Sequence, residues 1–377
     1  MRLLLAFVMI AGLLLPAYGW GQRVIHPLAV KPETKQARYA RLDQYAQHLP
    51  EAQAATLEKL AASLASQAHT DDDKARLIFA WLAYHIAYDA TLSVSDTTHY
   101  YRRCAPDYVL QYRKAVCQGY ADLFTELATH MKLLAHTITG HSRTWSDTGN
   151  LLGAANGHAW NTYQIAGSWH LADATWGAGG TLTTTNEFQQ QFEPFWFDTP
   201  PTQLIFSHLP DSTAWQMLPT FITLNAFQTW PYVEPAWFQL VNGASLIQTL
   251  GTSKVPVSNL PKVTISNAAF KVRIVQVPLH RELVAGQPVK FIFQAPAEVE
   301  LSAELDTGSL IMKNNGHYHQ ATITPTNGRI NISAWHKTDT TFICALQYEV
   351  IPTPRQKRLQ PGQHRPAIAD SVVYLRP

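Results

Sequence analysis

Residues 157–177 read GHAWNTYQIAGSWHLADATWG. Two runs rich in aromatic and β-branched residues, HAWNTYQI (158–165) and WHLADATW (169–176), flank Ala166-Gly167. That pattern predicts two strands joined by a short turn. In a hairpin the turn length fixes the register. A two-residue turn sets His158 opposite Thr175 and makes Asp173 the diagonal neighbour on the same face. A carboxylate there is within reach to hold the imidazole in one tautomer.

Upstream, residues 116–124 read VCQGYADLF. Val116, Tyr120, Leu123, Phe124, Leu127, Met131 and Leu134 recur at helical spacing and predict a helix buried on one face. Cys117 stands at its start, where the positive end of the helix dipole lowers a thiol pKa. Nucleophilic cysteine chemistry needs a thiolate, a base to carry the proton and a third group to orient that base. Cys117, His158 and Asp173 supply the three in that chain order, with the nucleophile on a helix and its partners on strands. This is a papain-like arrangement. Taken singly, each residue has a bland reading: a small buried hydrophobe, an ordinary strand histidine, a turn cap. The joint pattern favours chemistry.

These blocks resemble the transglutaminase-like superfamily. Its pattern is a Gly/Val-Cys-x-Gly-Tyr helix start, a His-x-Trp strand and an Asp-x-Thr strand. They stand here as Val116-Cys117-Gln118-Gly119-Tyr120, His158-Ala159-Trp160 and Asp173-Ala174-Thr175. WLAYHIAYD (81–89) resembles the family's preceding helix. DATWGAGG (173–180) with SHLPDSTAWQML (207–218) resembles the extension of the kyphoscoliosis peptidase branch. The likeness covers roughly residues 75–250. It implies a papain-like α+β core, with Cys117, His158 and Asp173 as nucleophile, base and orienting acid. It does not fix the substrate, because the superfamily holds cross-linkers, peptidases, amidases and members without activity.

Before this core, Arg2 and the apolar run LLLAFVMIAGLLL (3–15) are followed by Pro16 and the small-x-small triplet Ala17-Tyr18-Gly19. Residues 1–19 therefore read as a cleaved signal peptide, too short for a comfortable bilayer span. A secreted or periplasmic protein with no transmembrane segment after cleavage is expected. Residues 20–74 read as a lead-in and helices, with Thr70 capping the acidic turn Asp71-Asp72-Asp73. Residues 75–260 form the expected catalytic domain and its extension. Residues 90–106 look polar and turn-rich, and 177–260 irregular. From 261 to 377, short Val, Ile, Phe and Thr runs between turns such as Asn327-Gly328 suggest a separate β-sandwich of immunoglobulin type.

Composition narrows the partners. Hydrophobic residues make up 46%, against 15% charged, which excludes wholesale disorder. A net charge of +2 offers no field for nucleic acid. The expected partner is a protein or peptide substrate, with the sandwich positioning the enzyme on a cell-wall or other surface. The 3 cysteines include no CxxC pair. The pair His317 and His319 lacks a third ligand, so a solvated strand and no metal are expected. No cofactor is expected, and no calcium loop of the Asp-x-Asp-x-Asp kind is present. Cys104 and Cys344 are expected to be inert buried thiols. Gln111 and Trp81 are possible oxyanion donors but read more simply as surface polarity and core. An exported cysteine enzyme cleaving amide bonds through a thioester is the first expectation. The alternatives are a cross-linking transglutaminase and a non-catalytic adhesion or scaffold protein.

Overall fold

The structure, a computed structural model, describes residues 33–92, 97–144, 157–182, 185, 187–253, 257, 259–263, 271–338 and 343–353. The expected signal peptide, most of the Gly-rich segment before His158 and the C-terminal tail lie outside these residues. Among the described residues, no helix is long and apolar enough to cross a membrane.

The chain is a mixed helix and sheet protein. Its first part is helical: Lys35–Gln47, Leu57–Ala65, Asp71–His85, Thr97–Cys104, Pro106–Tyr112 and Cys117–His130. Thr70 caps the third of these as expected. Its hydroxyl accepts from Asp73 N–H at 3.1 Å, while the Asp73 carboxylate accepts from Thr70 N–H at 3.1 Å, a reciprocal capping box. The two helices between 97 and 112 fall partly in a stretch expected to be turns. Their polar, Tyr- and Arg-rich sequence shows no apolar stripe, and Pro106 at the first helical position marks a start that only context reveals. The Cys117–His130 helix buries Tyr120, Leu123, Phe124 and Leu127 on one face. Leu134 lies past its end and is exposed, so the expected stripe stops at Met131.

A four-stranded antiparallel sheet follows in the order 168–172, 157–165, 135–142, 208–210. The hairpin register pairs Ile165 with Ser168 and Asn161 with Ala172, as a two-residue turn requires. Ala166 and Gly167 both take positive φ, 47° and 84°, the mirror-type turn that matches strand twist. The second strand stops at Ala172, not 176. Asp173 instead caps a short helix, Ala174–Ala178, by accepting the N–H groups of Thr175 and Trp176. Asn161 Nδ2 donates to Ala121 O at 2.9 Å and pins the cysteine helix to the strand of His158.

Two buried clusters succeed each other along the chain. One gathers side chains from Leu42 to Leu204, the other from Ile205 to Tyr348. The second draws on both sides of residue 261, because Phe227, Trp237 and Leu246 share it with Phe291, Ile332 and Leu346. The C-terminal region is sheet-rich. One sheet orders 273–276, 289–294, 319–323 and 313–314, and the other 282–284, 343–351, 329–336, 299–305 and 308–311, with 262–263 beside 343–351. Val289, Phe291 and Phe293 are buried while Lys290 is exposed, the alternation of a sheet with one covered face. Phe291 meets Tyr348 of the other sheet edge-on at 5.4 Å. His319, expected on a solvated strand, is buried, with Nε2 paired to Asn314 Nδ2 at 3.1 Å.

Candidate active site

Cys117 begins the helix Cys117–His130, with Val116 as its N-cap and no side chain capping the first turn. The thiol therefore sits where unsatisfied N–H groups favour negative charge. The His158 imidazole and the Ala159 N–H both act on the thiol. Burial disfavours a thiolate here. The His158 contacts and the Ala159 N–H outweigh it, and the thiol pKa is lowered.

His158 is buried, and its Nε2 lies 2.7 Å from Asp173 Oδ2. That leaves Nδ1 as the ring nitrogen for the thiol. Burial opposes charge on this imidazole, but the Asp173 carboxylate and the Cys117 contact prevail and raise its pKa to about 10. The Trp160 ring stacks against it at 5.9 Å and Trp176 lies at 5.7 Å, so the imidazole is walled by aromatic faces.

Asp173 divides its labour between its two oxygens. Oδ1 accepts Thr175 N–H at 2.8 Å and Trp176 N–H at 3.0 Å. Oδ2 accepts from His158 Nε2 at 2.7 Å and from His208 Nε2 at 2.9 Å. Four donors on two oxygens occupy the lone pairs of a carboxylate. Burial alone would raise its pKa; the two imidazoles hold it well below the usual carboxylate range.

His208 was not foreseen as a site residue. It comes from the three-residue edge strand His208–Pro210, in a stretch with no clear periodicity. Its segment, SHLPD, had shown only a likeness to a branch. His158, Asp173 and His208 also place one ligand atom each within 4.8 Å of one another. Both imidazole Nε2 atoms lie at direct hydrogen-bond distance from Asp173 Oδ2, 2.7 and 2.9 Å.

The other expected residues lie apart from this cluster in character. Gln111 is exposed on the Pro106–Tyr112 helix. Trp81 is fully buried, stacked on His85 at 5.0 Å with the Arg113 guanidinium 4.8 Å from its ring centre. None of the three cysteines, all within the described residues, is in a disulfide. Cys104 is buried, which pushes its thiol up to about 12. Cys344 is only half-buried, not fully buried as expected. Iodoacetamide at pH 6 should thus alkylate Cys117 and leave Cys104 unmodified, as read by peptide mass spectrometry. Equal labelling of the two would mean that Cys117 carries no stabilised thiolate.

Comparison with known proteins agrees with this geometry. Residues 58–174 match the family described as the transglutaminase-like superfamily, and the chain carries a domain of that superfamily. Within it, the relatives point to the kyphoscoliosis peptidase branch. Human kyphoscoliosis peptidase is 30% identical over 223 residues, 59% of this chain and 32% of that protein. The mouse kyphoscoliosis peptidase is 33% identical over 183 residues, 48% of this chain and 27% of that one. Hillarin of Drosophila melanogaster is 24% identical over 199 residues, 49% of this chain and 23% of its own. The matches thus span about a third or less of these relatives' lengths.

Proposed function

We propose that this chain is an exported cysteine enzyme that hydrolyses peptide or amide bonds through a thioester. The observation that carries this is the Cys117 thiol at a helix N-terminus, its pKa lowered by His158, whose imidazole is in turn hydrogen-bonded to Asp173 at 2.7 Å. The Cys117 thiolate attacks the carbonyl carbon of the amide. The His158 imidazolium gives its proton to the departing amine as the C–N bond breaks, leaving an acyl-thioester. Water then attacks that carbonyl, with His158 taking one of its protons. The carboxylic acid leaves as the C–S bond breaks, and Cys117 recovers its starting form. Asp173 keeps the His158 proton on Nε2 and stabilises the imidazolium. The names of the two kyphoscoliosis peptidases support hydrolysis over transfer to an amine. Export is supported by the apolar run at residues 3–15 after Arg2. The two facing sheets of the C-terminal region support an immunoglobulin-like sandwich that holds the enzyme on a cell-wall or other surface.

The deciding experiment is mass spectrometry of a glutamine-containing peptide library incubated with and without a primary amine. Cleaved or deamidated peptides are expected to dominate in both. Mainly amine adducts would overturn the hydrolase in favour of a cross-linking transglutaminase. No covalent change in any peptide would favour a binding role.

A further inference from the structure

We propose that His208 is a positioning residue for the thiol chemistry, donating its Nε2 proton to Asp173 so that the carboxylate stays aimed at His158. The inference deepens the proposed function and rests on it.

The geometry has three parts. First, Asp173 Oδ2 lies between two imidazoles, 2.7 Å from His158 Nε2 and 2.9 Å from His208 Nε2. Oδ1 is anchored by the Thr175 and Trp176 N–H groups, and the second imidazole anchors Oδ2 on the side away from His158, so both oxygens are fixed. Second, the far nitrogen of His208 is itself held. Ser207 Oγ lies 2.8 Å from His208 Nδ1, with Leu204 O as the hydroxyl's other neighbour at 3.2 Å. The Asp173 carboxylate only accepts, so the ring proton sits on Nε2 and Nδ1 takes the one Ser207 hydroxyl proton at 2.8 Å in preference to Leu204 O at 3.2 Å. Third, no solvent can stand in for His208. Its side chain is fully buried and ringed by Trp176 at 4.6 Å, Trp160 at 5.1 Å and Trp196 at 5.6 Å.

The backbone is built to bring this residue in. The edge strand His208–Pro210 pairs with Gly140, His141 and Ser142. A side chain at Gly140 would overlap Leu209 O and come within 2.7 Å of Pro210 Cα, so only glycine admits the strand this closely. Next to it, the buried Arg143 guanidinium grips the carbonyls of Phe206, Trp230 and Pro231, and Arg143 N–H donates to Ser207 O at 2.9 Å. The segment that delivers His208 is thus clamped on both sides.

Charge supports the assignment. Burial, helped by the charge of His158, pulls the His208 pKa down to about 4 against the pull of Asp173. It is therefore a neutral donor wherever the thiol works. The groups acting on it are Asp173 and His158; Cys117 acts on His158, and Asp173 with burial raises the pKa of Tyr88 and Tyr120 and keeps them protonated.

The test uses iodoacetamide as the probe and the pH dependence of Cys117 alkylation as the readout, so no substrate is needed. His208→Leu removes the donor, and His208→Gln keeps an N–H in its place. In the leucine variant Oδ2 keeps His158 as its single donor, its contact with His158 loosens and the thiol pKa climbs. Alkylation at pH 6 should slow about tenfold for each unit of that climb. The glutamine variant should return to within about twofold of the unaltered protein. Ser207→Ala, which releases the ring tautomer, should slow alkylation in the same direction by less. Unchanged profiles in the leucine and alanine variants, beside a reactive parent, would overturn the role of His208 alone. A parent with no reactivity at pH 6 would overturn the proposed thiol chemistry and this role with it. Equal slowing in the leucine and glutamine variants would reduce His208 to packing. If the leucine variant does not fold, the glutamine and Ser207→Ala profiles decide between the same outcomes.

Discussion

Replacing His158 by alanine is expected to drop turnover at least about 10³-fold, because the base that cycles the proton disappears together with the cation that holds the thiolate. Cys117 then keeps only the Ala159 N–H and the helix start against its burial. Its pKa should rise, and alkylation at pH 6 should vanish along with turnover. The fold should survive. Asp173 would still accept His208 Nε2 and the N–H groups of Thr175 and Trp176, so no bare carboxylate is buried. Turnover on a peptide from the library, with circular dichroism as the control, checks this. A folded His158→Ala variant with near-normal turnover would remove His158 from the mechanism.

Asp173→Asn is expected to lower kcat by roughly 10³–10⁴ while leaving KM little changed. The asparagine carbonyl can replace Oδ1 as the cap of Thr175 and Trp176. Its amide then points two hydrogens at two ring nitrogens that had been donors. His158 must turn its lone pair to Nε2 and carry its proton on Nδ1, facing the thiol it should deprotonate. The sign in pH follows. The His158 pKa of about 10 depends on the Asp173 charge. Without that charge burial acts unopposed, so the imidazolium is lost at much lower pH. The alkaline limb of the activity profile should retreat toward neutrality, and Cys117 alkylation should require alkaline pH. A kcat profile like that of the unaltered protein would show that Asp173 serves only as a helix cap.

The difference between what could be read along the chain and what could not follows the range of the interactions. Cys117, His158 and Asp173 were legible because each is fixed locally. A helix start needs only its own stripe, and a two-residue turn transmits the register from Ile165–Ser168 out to Asn161–Ala172, next to Asp173. The end of the second strand was not legible. Strand and cap compete for Asp173, and the competition is settled by donors on the next turn, Thr175 and Trp176. His208 lay further still from view. It meets Asp173 across 35 residues of sequence through a strand of three residues, too short to show alternation. Likewise His319 reads as a polar strand residue, and its burial and its contact with Asn314 on the paired strand arise only in the folded sheet.

The edge strand at His208–Pro210 also bears on how this unit can be handed from one protein to another. It closes the four-stranded sheet, yet its Leu209 packs in the second buried cluster, beyond the switch between Leu204 and Ile205. The superfamily match stops at residue 174. A graft cut to that match would carry thiol, imidazole and carboxylate intact but strip Oδ1 of Asp173 of both its N–H donors and Oδ2 of its second imidazole. The inheritable piece is therefore longer than the recognisable one. Any recombination that respects only the recognisable boundary separates Asp173 from three of its four donors, the N–H groups of Thr175 and Trp176 and the His208 imidazole.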